Sequence, residues 1–377
     1  MDDAARRGLV AVGLVAAVIA LSWLIGGALR TTSGPAVVSE PLPSVSPLPE
    51  PDAPDDCPHP ALCVRWSTIF GAGSPSVVLV ADGRVYARIE ARTGQVRVLD
   101  PETGDRLGVF DLVGTTPAPA PAVALLATLA PPQLHGVGPE GVAWRIDVAG
   151  VGATRLTADG DVAYVATNAG ELWAVRIADG EVLWTRDPGH GALGFPAVAG
   201  EAVVVAGADR TVTGVDPATG EELWTTRVSG LRFLVRPGAA DEVAVLVDGS
   251  GITALDATAG EERWRAELEW GRLSPSVNGG RAHVVGRNAG RVWALDVGDG
   301  SIVWETEDVE GAAFPPVVVG DVVYVAGADR RVHALDAATG ELLGSTAIDA
   351  TVNAQPLRAG DVLLVPTVRG IVALGGF

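Results

Sequence analysis

Residues 215–224 read Val215-Asp216-Pro217-Ala218-Thr219-Gly220-Glu221-Glu222-Leu223-Trp224, and forty residues later stands Leu255-Asp256-Ala257-Thr258-Ala259-Gly260-Glu261-Glu262-Arg263-Trp264. The same outline returns from Gly180 to Trp184, from Gly300 to Trp304 and from Gly340 to Gly344, so the turn glycines are spaced by 40 without insertion. Asp216, Asp256, Asp296 and Asp336 each precede their glycine by four residues, and Arg176 takes that place in the copy ending at Trp184. Two weaker copies come earlier, ending at Gly108 and Trp144. A period near 40 with several short strands per unit is the mark of propeller blades, which bury their apolar faces only by stacking on neighbours.

The unit ending at Trp224 divides into four strands, over residues 195–200, 201–206, 210–216 and 221–227. Val, Ala and Leu fill these runs, and Gly, Asp, Pro and Thr fill the turns between them. In each Asp-to-Gly turn the carboxylate is expected to accept backbone N–H bonds while the glycine takes a positive φ. Six of the ten tryptophans, Trp66, Trp144, Trp184, Trp224, Trp264 and Trp304, share the position that follows this turn. That repetition points to packing on the adjacent blade rather than to catalysis.

The chain ends just after a third strand (370–376), whereas Val64 to Ile69 has the character of an outer strand with no inner strands before it. Pairing the two closes the ring and removes an exposed edge. The anchor positions are then 66, 108, 144, 184, 224, 264, 304 and 344: eight blades, or seven if the short, Pro-rich second unit fails to form one. Ala334-Leu335-Asp336 with Thr339 and Gly340 resembles the tryptophan-docking repeat of PQQ-like propellers, although Gly344 stands where the repeat has Trp. Quinoprotein alcohol dehydrogenase-like and BamB-like proteins carry this repeat, and the resemblance covers roughly residues 63–377. It implies an all-β, eight-bladed propeller closed by an N-terminal outer strand. The quinoprotein enzymes of the family imply PQQ and calcium, with the cofactor stacked on a disulfide of adjacent cysteines. Cys57 and Cys63 are not adjacent, and long insertions around a pocket are missing, so no cofactor and no enzymatic activity are expected.

Ahead of the propeller, Gly8 to Leu29 runs without a charged side chain, enough for one membrane-spanning helix and longer than the apolar region of a cleaved signal peptide. Arg6 and Arg7 precede it, and after Arg30 the next basic residue is Arg65, which places the N-terminus in the cytoplasm and the propeller outside. Residues 1–30 are thus read as a cytoplasmic tail and signal-anchor, 31–56 as a Pro-rich extended linker, and 57–377 as the propeller. In an extracytoplasmic setting Cys57 and Cys63 are expected to form a disulfide. The alternative, a metal site recruiting His59, lacks a second pair of ligands.

Formal charge is −19 and all 27 basic residues are Arg, which excludes the basic footprint of a nucleic-acid binder. Two G-x-G-x-x-G strings, 136–141 and 189–194, lack the following helix that dinucleotide binding needs. Asp159-Gly160-Asp161 and the turn 296–300 lack the ligand series of a calcium loop. His59, His135, His190, His283 and His333 show no metal-ligand spacing; His333 shares the third-strand position of Trp173 and Trp293 and is expected to pack. What remains is one face of the ring. Its inter-blade loops carry His190, Arg232, Phe233, Arg236, Trp270, Arg272, Asn353 and Gln355, and its second-to-third-strand loops carry Arg210, Arg287, Arg330 and Arg369. Arg232, Trp270, Arg272, Asn353 and Gln355 are the candidate partner-binding residues, suited to a partner's carboxylates. The expected function is a non-enzymatic interaction scaffold tethered to the cell membrane, its partner an envelope or membrane protein. A PQQ/calcium-dependent dehydrogenase and a ligand-sensing ectodomain acting through a partner are the alternatives.

Overall fold

The computed structural model describes residues 59–375 apart from 72–73, 90–93, 113–121, 130–131, 149–150, 233–236, 249–250, 269–272, 287–289, 310 and 313. Blade 4 shows the plan: Ala197–Ala199, Ala202–Ala206, Thr211–Val215 and Glu222–Arg227 pair antiparallel in sequence order. Blades 1, 3, 5, 6 and 7 repeat it over 75–111, 151–186, 238–267, 273–306 and 317–347, and blade 2 has three described strands over 124–147. Blade 8 consists of Leu357–Ala359, Val362–Pro366, Gly370–Leu374 and the N-terminal Val64–Ile69. Val64–Ile69 lies antiparallel to Gly370–Leu374, with Trp66 opposite Ala373 and Ile69 opposite Gly370. The expected closure is therefore present. Each pair of successive blades encloses its own apolar cluster, and one of the eight clusters joins Trp66 and Leu364 of blade 8 to Val85 and Leu99 of blade 1.

The turns between third and fourth strands follow from their residues. Asp216 Oδ1 accepts the N–H groups of Ala218 and Thr219, both at 2.8 Å, and Asp336 Oδ1 accepts those of Ala338 and Thr339 at 2.9 and 2.8 Å. The turn then needs a left-handed residue, and Gly260 supplies it at φ +71°. A Cβ on Gly260 would lie 2.3 Å from the ring of Trp224, because the indole of a blade that carries one lies flat on the turn glycine of the next. The indole N–H of Trp224 donates to Ala257 O at 2.7 Å. Trp66, Trp144, Trp184, Trp264 and Trp304 do the same to Pro101, Ile177, Pro217, Val297 and Ala337 at 2.7–3.0 Å. A ring of this size buries apolar area worth roughly 4–6 kcal/mol per site.

A β-bulge aims the indole. Trp224 faces Gly214 whereas Glu222 faces Val215, leaving Leu223 as the additional residue. The same shift occurs in every blade, at Arg65, Leu107, Ala143, Leu183, Arg263, Val303 and Leu343. It turns Leu107, Leu183, Leu223 and Val303 out to solvent and the next residue in. The residue across the strand from each indole is small, either Gly or Ala, as at Gly136, Ala174, Gly214, Ala254, Ala294 and Ala373.

Two blades depart from the rule. Blade 1 has Gly108, which meets the shorter 138–141 turn of blade 2, and Phe110 packs against Gly141 instead. Blade 7 has Gly344, and in blade 8 no third-to-fourth strand turn faces it, because the third strand Gly370–Leu374 pairs with the distant Val64–Ile69. Leu62 of the short 3-10 turn Pro60–Leu62 fills that interface with Tyr324 and Leu374. In both blades a fully buried tyrosine, Tyr86 or Tyr324, stands in the same cross-strand row as the glycine, a row in which blade 3 has Tyr164 beside Trp184.

The expected membrane helix over 8–29, the linker over 31–56 and the Cys57–Cys63 bridge, through Cys57, lie outside the described residues. Among the described residues no helix is long and apolar enough to cross a membrane.

Because Gly260 touches Trp224 while Gly320 (φ +57°) has open space around its Cα, alanine at the two sites separates backbone strain from lost docking. Urea unfolding should show about 1–2 kcal/mol lost for Gly320→Ala and about 3–5 kcal/mol for Gly260→Ala, where overpacking adds to the left-handed strain. Equal losses would contradict the docking role.

Candidate functional site

The antiparallel plan sends first-to-second and third-to-fourth strand turns to one end of the ring, the turn face. The other end, the loop face, is made of second-to-third strand loops and inter-blade connections. The turn face is rich in exposed carboxylates, among them Glu102, Asp161, Glu201, Glu221, Asp321 and Asp361. Three arginines there are engaged: Arg84 with Asp82 at 2.7 Å, Arg176 with Asp179 at 2.9 Å, and Arg263 with Asp256 at 2.7 and 3.0 Å. The hydroxyl of Thr258, followed by the Arg263 guanidinium, holds the Asp256 carboxyl well below the usual carboxylate range.

The loop face differs. Arg210, Arg232, Arg330 and Arg369 are exposed there, and none of these guanidiniums meets a carboxylate or a hydrogen-bond acceptor among the described residues. The adjoining carboxylates face other groups. Asp209 accepts the N–H and hydroxyl of Thr211, both at 2.9 Å, and meets His190 Nδ1 at 3.2 Å. Asp329 accepts the N–H of Arg331 at 3.1 Å and meets His333 Nε2 at 3.2 Å.

Of the candidate residues named from sequence, Arg232 is exposed on this face, whereas Trp270 and Arg272 lie outside the described residues, as do Phe233, Arg236 and Arg287. Asn353 is half-buried, and its amide donates to Ser74 Oγ at 2.7 Å and Pro75 O at 2.8 Å, tying the loop before blade 8 to the first strand of blade 1. Gln355 is half-buried just before the innermost strand of blade 8. Sequence reasoning missed the clamp at Asn353, since nothing in its neighbours along the chain marks a contact with residues nearly 280 positions away.

His333 is buried in the position that Trp293 holds in the preceding blade, and its Nδ1 lies 2.8 Å from Ser345 Oγ. The line Ser345–His333–Asp329 has the residue types of a hydrolytic triad. Sister blades place Thr213 against Thr225 at 3.3 Å and Trp293 against Glu305 at 3.1 Å in the same cross-strand row, so the line is one rung of a blade-internal polar ladder. Along the ring's inner wall, Thr157, Asp159, Pro196, Ala197, Pro237 and Ala239 surround a hollow of about 310 Å³. Its described lining residues offer one carboxylate and no cationic group, which does not suit PQQ, itself a tricarboxylate. Among the described residues no three His, Cys, Asp or Glu side chains are placed to hold a metal ion.

A family model described as outer membrane protein assembly factor BamB matches residues 134–240 and 211–375 of the chain. Among solved structures, BamB from Moraxella catarrhalis is similar at 20% identity, covering 84% of this chain and 100% of that one with a TM-score of 0.66. The computationally designed Ika8 protein is similar at 15% identity, covering 83% of this chain and 99% of its own, with a TM-score of 0.64. At such identities these two likenesses concern the fold. No curated protein matches the chain.

Two histidines give the ring a pH response. Burial, then the charges of Arg145 and Arg88, lowers His135 to about 4; burial, then Arg281, lowers His283 to about 4. His283 packs 5.8 Å from the Trp304 ring, and neither of its nitrogens has a hydrogen-bond partner among the described residues. Both are neutral when folded, so their contribution is complete above the ordinary value near 6.5 and is lost as pH falls from there toward 4, by about 3 kcal/mol each. Urea titrations at pH 7.5 and 4.5 should show this loss, with His283→Leu removing about half of it. A wild-type stability flat between these pH values would contradict the buried neutral state.

Proposed function

The chain belongs to the outer membrane protein assembly factor BamB family of PQQ-like propellers, and we propose that it serves as a non-enzymatic protein-interaction scaffold of the cell envelope. In this reading residues 8–29 hold it in the membrane, residues 31–56 act as an extended spacer, and the propeller stands on the extracytoplasmic side. Its partner is an envelope or membrane protein that docks on the loop face. The family description supports a protein partner, and the hydropathy and charge pattern of residues 1–30 supports the tether.

The observation that carries the reading is the contrast between the two faces. Arg84, Arg176 and Arg263 of the turn face are already bound to carboxylates, whereas Arg210, Arg232, Arg330 and Arg369 of the loop face have none among the described residues. An unpaired guanidinium offers a planar set of donors to a partner's carboxylates without first breaking an internal pair. Loops on a rigid ring are also where binding residues are commonly held. Trp270 and Arg272 belong to the same proposal through their place in the connection between blades 5 and 6.

Cross-linking of the full-length protein in its native envelope, read by mass spectrometry, tests the proposal. Arg232→Glu combined with Arg369→Glu should reduce the partner's cross-links at least tenfold while the melting temperature stays within about 2 °C. Cross-links that persist in this variant, or that map to the turn face, would overturn it.

A further inference from the structure

Resting on the scaffold reading, one pair of residues on the loop face identifies what the partner presents. Arg210 and Arg330 have φ of +72° and +63°. Left-handed backbone is disfavoured for a long side chain and is the natural place of glycine. Sister blades follow that rule: forty residues before each arginine the corresponding turns have Gly170 at φ +99° and Gly290 at φ +66°. The two other non-glycine residues at positive φ among the described residues, Asp82 and Asp241, are of a type that tolerates it. An arginine is thus held twice where the repeat elsewhere uses glycine, and in both cases its side chain is exposed and unpaired. Strain retained at a surface position points from the outlier to a function.

Their surroundings agree. Arg210 O accepts the N–H of Val228 at 3.1 Å, and the same connection leads to Arg232, whose N–H donates to Val247 O at 2.9 Å. Arg330 O accepts the N–H of Ile348 at 2.8 Å, and that connection in turn takes the N–H of Val368, beside Arg369, onto Thr351 O at 2.9 Å. Each strained arginine is therefore joined through hydrogen-bonded loops to a second free one, and Val368 is 47% exposed beside the latter. Asp209 and Asp329, the nearest carboxylates along the chain, are engaged with Thr211 and His190 and with Arg331 and His333, and compensate neither guanidinium.

We propose that Arg210 and Arg330, seconded by Arg232 and Arg369, are the contact points for a carboxylate-rich extended segment of the partner protein, laid across the loop face. The unpaired charge is the basis: although exposed acids such as Asp187, Glu307, Asp308 and Asp349 share this face, the four exposed guanidiniums have no carboxylate among the described residues and are open to those of an acidic occupant.

The test uses the full-length protein in neutral detergent and a fluorescent deca-glutamate peptide as probe, read by anisotropy at low and moderate salt. Wild type should bind, and more weakly as salt rises. Arg210→Gly with Arg330→Gly should weaken binding at least tenfold while leaving the melting temperature unchanged or raised, because glycine relieves the left-handed strain. Arg210→Lys with Arg330→Lys should keep most of the affinity, and Arg84→Gly on the turn face should keep all of it. A wild type that ignores the peptide would overturn this assignment alone, since the envelope cross-linking asks only whether a protein docks on this face. Undiminished binding by the glycine variant, or a fall of several degrees in its melting temperature, would also overturn it. So would a second copy of the chain occupying the arginines, seen as sedimentation above the monomer without peptide.

Discussion

The contact between an indole ring of one blade and the turn glycine of the next organises the molecule. It combines three requirements that no single residue meets. The turn must place a left-handed residue under the ring, which Gly220, Gly260, Gly300 and Gly340 do. The carbonyl after the turn aspartate must point at the indole N–H, as Ala257 O does for Trp224. The strand leading to the tryptophan must bulge so that the ring turns inward, and the residue across from it must be small. Each requirement is weak alone. Repeated around the ring, they leave one arrangement in which all the rings are buried.

The exceptions support the same logic. Trp is replaced by Gly at 108 and 344, the positions where the neighbouring blade offers either a shortened turn or no turn at all. Other side chains pack at these interfaces: Phe110 at one and Leu62 at the other. Closure at blade 8 thus explains a departure in blade 7. An open array would leave the edge of Gly370–Leu374 in want of a partner; pairing with Val64–Ile69 meets that need, and the Asn353 amide adds a tie to the start of blade 1.

Much of this was legible in the sequence because it repeats. The Asp–Gly–Trp spacing gave strands, turns and a count of eight or seven blades, the outer-strand character of Val64–Ile69 gave the closing strand, and Asp216 and Asp336 accept backbone N–H bonds as their residue type dictates. The bulge was not legible, since an unpaired residue such as Leu223 has no signature apart from its exposure. Nor was Asn353: the loop face was readable as a surface, yet a half-buried amide joined to Ser74 could not be told from a free one. The strained arginines lay within reach. Aligning Arg210 and Arg330 with Gly170 and Gly290 shows an arginine where the repeat elsewhere uses glycine, but the backbone angle that gives this meaning comes from the structure.

For function, the ring acts as a rigid frame whose periodic residues are committed to holding blades together, while the aperiodic loops stay available to other molecules. The frame is the claim on which the rest stands, and the indole N–H protons report on it directly. Hydrogen exchange followed by NMR on tryptophan-¹⁵N-labelled protein, with rings assigned by single Trp→Phe changes, should find the Nε1 protons of Trp66, Trp144, Trp184, Trp224, Trp264 and Trp304 protected by at least about a thousandfold, exchanging only when blades part. Rapid exchange at these six positions, like that of an indole free in water, would contradict the account.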